Sequence, residues 1–542
     1  MKRIERFSCY AILCASVLLA SCKKPAGPVG PDDKPGTEDI QVQLEAGKDW
    51  CGVVVDSKGN GIAGVVVSDG YNCTKTDSKG IYQLKKGSEY SAVINISVPA
   101  EYRIPAQNGS PRFWHVISSK QSRYDFTLEK LPAPENDFYL FGLADPQCQN
   151  NDRHISRFKE ETIPDLKAYS AQFAAKAPVY GITLGDIGYN TGSTEHNRAK
   201  ALLKNMRDAM AEPKSGMLVM QTIGNHDHDL ISNSGYSEEK DIEMEKYFNL
   251  IFGPVNYSFN RGQAHIVSMD DIQATNPESY KAGFRDDQLE WLKQDLSYVD
   301  KDKLVILCVH IPLCDNSTKQ NVAAVLNLLK EFSSAHILSG HTHKNTNTPS
   351  SCSSGIYEHT QAAVCGAWWW STVNTDGSPN GYAVYEIKGN RIESWKYKGV
   401  DLDAENQIRM YRGYTAFMDD SSSKFYFPMT DSKDLWANIW NWDDKWTVDV
   451  YEDGVKTGSM TRHYDSKKSH DAWAVAYHIG IVGRGSNYDA TNVKHLLHYE
   501  LRNPDCKNVE IRAKDRFGNE YVQSTVTDGS RKYWPMAPGD NY

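Results

Sequence analysis

Five short clusters hold the side chains best suited to binding metal or moving protons, and each stands directly behind a hydrophobic run. In chain order they are Asp145-Pro146-Gln147, Gly185-Asp186-Ile187-Gly188-Tyr189, Gly224-Asn225-His226-Asp227, Val309-His310-Ile311-Pro312 and Gly340-His341-Thr342-His343. Carboxylates, amide oxygens and neutral imidazoles suit a pair of hard or borderline cations that share one carboxylate, and Asp186 is the best bridge. Each cluster alone has an ordinary use. An Asp behind a strand caps a helix, Asn-His-Asp beside glycine closes a turn, and a His before Ile-Pro ends a loop. His341 and His343 are harder to explain away, because two imidazoles two residues apart on an extended segment point the same way. Five such clusters in order point to a two-metal site.

Converging the clusters requires strands that end at a common rim. Apolar runs at 138–144, 179–184, 217–223, 264–269, 304–309 and 336–338 alternate with helical text at 194–210 and 286–299, where Leu289, Leu292 and Leu296 keep helical spacing. Alternation of this kind predicts an α/β layered domain with its chemistry at the strand ends.

The flanks read differently. From Trp50 to Leu131, short runs such as Val53-Val54-Val55 and Val65-Val66-Val67 are punctuated by turn signals, predicting a small β-sandwich. Beyond 401 the text is β again, with Trp446 to Tyr451 alternating cleanly and Val509 to Ala513 leading to a turn. The tryptophans 436, 440, 442 and 446 read as core, with carbohydrate binding or the lining of a site mouth as the alternative. The predicted organisation is a leader at 1–22, a tether at 23–47, a β-sandwich at 48–133, the α/β domain at 134–400 and a β-rich domain at 401–542.

At 542 residues the chain is long enough for three or four domains, and a net charge of −9 without a basic block gives no nucleic-acid-binding patch. Lys2, Arg3 and Arg6 precede an apolar run too short and interrupted for a plain membrane anchor, which predicts a cleaved secretory segment. Its ending, Leu19-Ala20-Ser21-Cys22, resembles a bacterial lipoprotein box, implying lipidation of Cys22 and a place in the bacterial cell envelope at the outer membrane, on its periplasmic face or the cell surface. Membrane contact is then through the lipid alone. The remaining cysteines permit disulfides, Cys51 with Cys73 and Cys352 with Cys365 being the pairs considered, and Cys308 reads as core.

The ordered clusters resemble the calcineurin-like metallophosphoesterase superfamily. The stretches from Gly52 to Asp56 and Thr76 to Tyr82 are similar to the carboxypeptidase-regulatory type of sandwich. The resemblance implies a central sandwich of β-sheets flanked by helices, set between all-β domains, and two metal ions. One ion would take Asp145, Gln147, Asp186 and His343, the other Asp186, Asn225, His310 and His341, with His226 free of metal. Divalent zinc, manganese or iron is implied, and ferric iron if Tyr189 ligates as in purple acid phosphatases. A hydroxide held between the metals would attack the phosphorus of a small phosphate ester, mono- or diester, with His226 as acid or transition-state stabiliser.

Two departures bear on this. Gln147 stands where an imidazole is usual and is the weaker donor for late divalent ions. Tyr189 stands where a second Asp is usual, which leaves open what orients His226; Asp227 and Asp145 are both conceivable, and Asp227, like Tyr189, is a candidate to touch a metal or to support its ligands. Trp368, Trp369, Trp370 and Tyr382 form either an aromatic substrate wall or a core tryptophan flanked by exposed neighbours ahead of a hairpin. The competing function class is an envelope binding lipoprotein with a decayed phosphoesterase core, its β domains contacting glycans or another envelope protein.

Overall fold

The computed structural model describes residues 40–526 apart from 150–151, 190–195, 230–234, 277, 348–354, 413–416, 420–423, 427–432, 464–468, 479–481, 483–490 and 525. The leader, Cys22, Cys352 and most of the tether lie outside the described residues.

Residues 50–128 make two small sheets and a short hairpin of Ala106–Gln107 with Ser110–Pro111. Trp50–Asp56 lies between Ile81–Leu84 and Phe126–Leu128, and Val66–Ser68 lies between Cys73–Lys75 and Val93–Ser97, with Trp114–Val116 beyond. The turn signals act as side-chain caps. Asp56 Oδ1 accepts from the amides of Lys58 and Asn60 at 2.8 and 2.9 Å, and Asp77 Oδ1 accepts from Lys79 and Ile81 at the same two distances. The sandwich docks on the central domain through Trp291, whose indole donates to Ser68 Oγ at 3.1 Å, and through Ser258, whose hydroxyl donates to Ser97 Oγ at 2.8 Å.

Two five-stranded sheets face each other in the central domain. The first runs Leu218–Met220, Val179–Thr183, Asp137–Leu143, Gly381–Lys388, Arg391–Gly399, its first three strands parallel. The second runs Tyr257–Arg261, Ala264–Ser268, Leu304–Cys308, Ser334–Ser339, Tyr357–Thr360, parallel from Ala264–Ser268 onward. Phe138, Leu140, Ile182, Ile266, Ile306 and Leu338 fill the space between them. Alternate residues of the same strands face helices: Phe141, Leu143 and Val219 meet Leu166, Leu202 and Met206, while Val267, Val305 and Leu307 meet Leu292 and Val325. Burial on both faces explains why these strands read as unbroken apolar runs. The helices His196–Ala209 and Asp286–Leu296 fall inside the two predicted stretches. The hairpin of Gly381–Lys388 and Arg391–Gly399 follows the tryptophan cluster, pairs antiparallel with Asp137–Leu143 and forms the edge of the first sheet.

The C-terminal strands form two further four-stranded sheets, one built on Asp434–Ile439 and Leu496–Glu500, the other on Thr447–Glu452 and Val509–Lys514. Trp436, Trp440, Trp442 and Trp446 are all buried, so the core reading holds over carbohydrate binding. The cysteine pairs are corrected: Cys51, Cys73 and Cys365 are free thiols, while Cys314 is disulfide-bonded. Cys51 faces Gln83 across one sheet and Cys73 faces Ser68 in the other, so strand register holds the two apart. Cys308 is buried as expected.

Candidate metal centre

All five clusters follow the carboxyl ends of parallel strands. Asp145 comes after Asp137–Leu143, Asp186 after Val179–Thr183, Asn225 after Leu218–Met220, His310 after Leu304–Cys308, and His341 with His343 after Ser334–Ser339. Three strands belong to one sheet and two to the other, so the centre forms where the two sheets' rims meet. The turns are tight. Asp145, Gln147, Asp186, His341 and His343 all have φ between 43° and 66°, a left-handed conformation that non-glycine residues seldom adopt and that concentrates at functional sites. A side chain at Gly224 would collide with Asp186, and one at Gly185, itself at φ 84°, with the His310 ring.

Asp186, His310 and His341 bring ligand atoms within 4.8 Å of one another. His310 Nδ1 faces the Leu184 carbonyl at 2.8 Å, which makes that nitrogen a donor and turns Nε2 toward the centre. That Nε2 is 3.3 Å from Asp186 Oδ2, 3.1 Å from Asn225 Oδ1 and 3.1 Å from His341 Nδ1. Burial pushes His310 down, but the Asp186 and Asp145 carboxylates outweigh it and raise it to about 10. Burial also pushes Asp186 up, and His310 and His226 outweigh it to hold the carboxyl well below its ordinary range. His341 is pushed down to about 4 by burial and by His310.

The second half of the site is continuous with the first. Asp145 accepts from the His341 amide through both oxygens, at 3.2 and 2.9 Å, and its Oδ1 lies 3.4 Å from His343 Nε2. Gln147 donates Nε2 to Asp186 Oδ2 at 3.0 Å and turns Oε1 toward the Cys365 thiol at 3.8 Å. Ligation through its oxygen requires the amide to turn over. Asp145 and Asp186 are 0% and 1% exposed, and among the described residues their ion-pair partners are imidazoles, with no Lys or Arg. Buried carboxylates need compensating charge. This donor set fits resident cations, and a candidate metal-binding group is present.

Neither carboxylate considered as the partner of His226 holds it. Asp227 is corrected to a backbone strap: it accepts from the amides of Ile187, Gly188 and Gly224 at 3.0, 2.8 and 2.9 Å and pins two of the site loops together. Burial, then the charge of Asp186, raises it to about 7. Asp145 is occupied by His341 and His343. Instead the Tyr189 ring packs on His226, and His226 Nδ1 lies 3.7 Å from Glu278 Oε1. The His226 amide donates to Asp186 Oδ1 at 2.8 Å, tying this residue to the bridge. Burial, then the Glu278 and Asp186 charges, push the Tyr189 phenol up.

The aromatic wall is corrected to one ring. Trp369 and Tyr382 lie in the core, at 1% and 0% exposure, held by Trp369 donating to the Pro146 carbonyl at 2.8 Å and Tyr382 to Asp165 at the same distance. Trp370 packs toward the C-terminal domain with Arg153 over its ring. Trp368 is 37% exposed and lies 5.1 Å from the His343 ring.

Three neighbours escaped the sequence reading. Glu278 and Tyr280 sit on or beside the hairpin of Ile272–Asn276 and Ser279–Ala282, where Tyr280 OH comes 3.4 Å from His341 Nε2. No motif marks that hairpin. Cys365, considered as a disulfide half, instead places its sulfur 3.9 Å from His343 Nδ1.

Sequence comparison agrees with this arrangement. Three family profiles match: the N terminal of calcineurin-like phosphoesterase over residues 49–131, calcineurin-like phosphoesterase over 143–345, and the C terminal of calcineurin-like phosphoesterase over 358–521. All five clusters fall in the middle match. No curated protein matches the chain. Among solved structures, a purple acid phosphatase from yellow lupin (Lupinus luteus) seeds is 12% identical, with 62% of this chain and 67% of that one covered and a TM-score of 0.32. A 5'-nucleotidase from Candida albicans is 11% identical, covering 49% and 52% at 0.30, and the NAD nucleotidase of Haemophilus influenzae is 10% identical, covering 49% and 49% at 0.27. The chain thus spans about half the length of the two nucleotidases. The assignment rests on the family profiles, which together account for both flanking β domains and the core between them: the chain belongs to the calcineurin-like phosphoesterase family.

Proposed function

We propose that the protein is a hydrolase of phosphate esters, mono- or diester, acting at a two-metal centre. The observation that carries this reading is the convergence of Asp186, His310 and His341 within 4.8 Å where the rims of two sheets meet. Asp145, Gln147, Asp186 and His343 would hold one ion, and Asp186, Asn225, His310 and His341 the other. Bound ions would supply Lewis acidity and an activated water for attack on phosphorus.

The protein's own residues do the rest. Asp186 is fixed on one oxygen by the His226 amide, so the bridge and the acid are positioned as one unit. With Nδ1 turned toward Glu278, His226 has Nε2 left to give a proton to the leaving-group oxygen. Tyr189 packs against the ring and fixes its place, and Trp368 offers an exposed face to the organic part of the ester. Metal analysis together with turnover of chromogenic mono- and diesters tests the reading: bound metal with turnover supports it, whereas a metal-free protein inert toward both after metal addition contradicts it.

The same reading places the protein in the bacterial envelope, lipid-anchored through Cys22. Among the described residues no helix is long and apolar enough to cross a membrane. Mass spectrometry of the membrane-fraction protein would find a diacylglyceryl adduct on an N-terminal Cys22, and an unmodified or differently cleaved terminus would refute the anchor.

A further inference from the structure

We propose that a pocket at the seam between the central and C-terminal domains binds a second anionic group of the substrate, a phosphoryl or a carboxylate, apart from the phosphorus attacked at the metals. The inference rests on the phosphoesterase reading and adds a substrate class to it. The pocket has a volume of about 90 Å³, and its lining includes Thr342, Lys344, Asn345, Asn492, Lys494 and His495. Thr342 lies between the candidate ligands His341 and His343, and Lys344 follows the second of them, so the pocket adjoins the metal centre.

Its polar groups are built for an acceptor. Asn345 is 4% exposed, and its Oδ1 accepts from the Ala362 amide at 3.0 Å, which fixes the side-chain amide and presents Nδ2 as a donor. That Nδ2 is buried without a partner, as is Thr342 Oγ1. Buried donors left unpaired are costly, and native proteins rarely keep several together without something to bind. The one carboxylate deep in the pocket, Asp376, is already satisfied: it accepts from the Asn345 amide at 2.8 Å, from His495 Nε2 at 3.0 Å, and from the Ser378 amide and hydroxyl at 2.8 and 2.6 Å.

The two lysines of the lining stand beside two carboxylates, Asp376 and Asp315, so the sign of the ligand is set by which groups are uncommitted. Lys344 makes no ion pair or hydrogen bond among the described residues, while Lys494 is 3.5 Å from the largely exposed Asp315. One uncommitted ammonium and two amide or hydroxyl donors favour an anionic oxygen group over a cation or a neutral ring. A pocket of this volume has room for a phosphoryl or a carboxylate. His495 and Lys494 come from the C-terminal domain, and this gives that domain a role in substrate choice.

The test compares kcat/KM for an alkyl bisphosphate and a phosphorylated carboxylic acid with that for p-nitrophenyl phosphate, which carries no second anion. The ratio of either probe with a second anionic group to p-nitrophenyl phosphate should fall about tenfold or more in Lys344→Gln, chiefly through KM, and Lys344→Arg should retain most of it. Loss with both probes, or with one alone, identifies which anion the pocket takes. An unchanged ratio in Lys344→Gln and in Thr342→Val would mean that the pocket holds only water and would overturn the proposal. If the wild-type protein turns over none of the esters, the phosphoesterase reading fails separately. Calorimetric binding of the bisphosphate to the metal-loaded protein then decides the pocket, with weaker binding by Lys344→Gln supporting it and equal binding refuting it.

Discussion

Tyr189 lies against His226 with ring centroids 4.3 Å apart and planes inclined by 58°. The phenol therefore does for the imidazole what a carboxylate was expected to do: it fixes the ring's place, through packing in place of a charged hydrogen bond. His226→Ala should lower kcat by about two to four orders of magnitude with metal content unchanged, since His226 is not assigned as a ligand. Loss of metal together with activity would make His226 a ligand instead.

The same contact separates packing from iron ligation. Tyr189→Phe keeps the ring, so its kcat should stay within a few-fold of wild type, whereas Tyr189→Ala should fall well below both. The aerobically purified protein should be colourless, because the Tyr189 ring is committed to packing on His226. A visible charge-transfer band that vanishes in Tyr189→Phe would refute this.

Gln147 meets Asp186 through its amide nitrogen. An imidazole there could accept the metal directly, so Gln147→His should tighten binding at the first site on the order of tenfold or more. A metal titration that matches wild type would show that Gln147 serves only as a hydrogen-bond donor to the bridge.

How far the sequence reaches can be judged residue by residue. Asp145, Asp186, Asn225 and His310 were readable because each follows an apolar run that becomes a parallel strand, so local text and strand direction agree. His341 and His343 were placed for the wrong reason: the segment is not extended but twice left-handed, at φ 66° and 54°, and the turn aims one imidazole at His310 and the other at Asp145. The support of His226 was unreadable, since Glu278 arrives from a hairpin some fifty residues on and Asp227 looks no different from a ligand until its three backbone donors are seen. Trp369 and Tyr382 show the same limit. An aromatic near glycine can pack or face solvent, and only the antiparallel hairpin of the first sheet decides.

A pair of imidazoles away from the centre makes the fold acid-sensitive. His336 Nδ1 and His359 Nε2 are 3.2 Å apart; burial, then the Arg516 charge, pushes His336 down to about 4, and burial, then His336 and Arg516, pushes His359 well down. Unfolded histidine titrates near 6.5, so as pH falls from there toward 4 the unfolded chain takes up protons that the folded one refuses. Stability present above pH 6.5 should therefore drop by about 2–3 kcal/mol across that window from His336 alone. Replacing both residues with Gln should flatten thermal unfolding against pH, and an unchanged acid dependence would rule the pair out as its source.

Trp368 is the exposed ring beside His343. Trp368→Ala should raise KM for aryl esters by roughly three- to tenfold, the size expected for one stacking contact, with less effect on an alkyl ester. Equal effects on the two would make the ring a support for His343 and not a substrate contact.

The most direct measurement is metal content and phosphate-ester turnover of Asp186→Ala beside wild type, each stripped with chelator and reloaded with zinc, manganese or iron(II). Asp186 is the carboxylate that the two candidate ligand sets share, and its contacts run to His226, Gln147 and His310. Wild type should lose activity on stripping and regain it on reloading, while the variant should bind less metal, stay inactive and keep the circular dichroism of a folded protein. Full metal occupancy with near-normal turnover in Asp186→Ala would contradict the two-metal account.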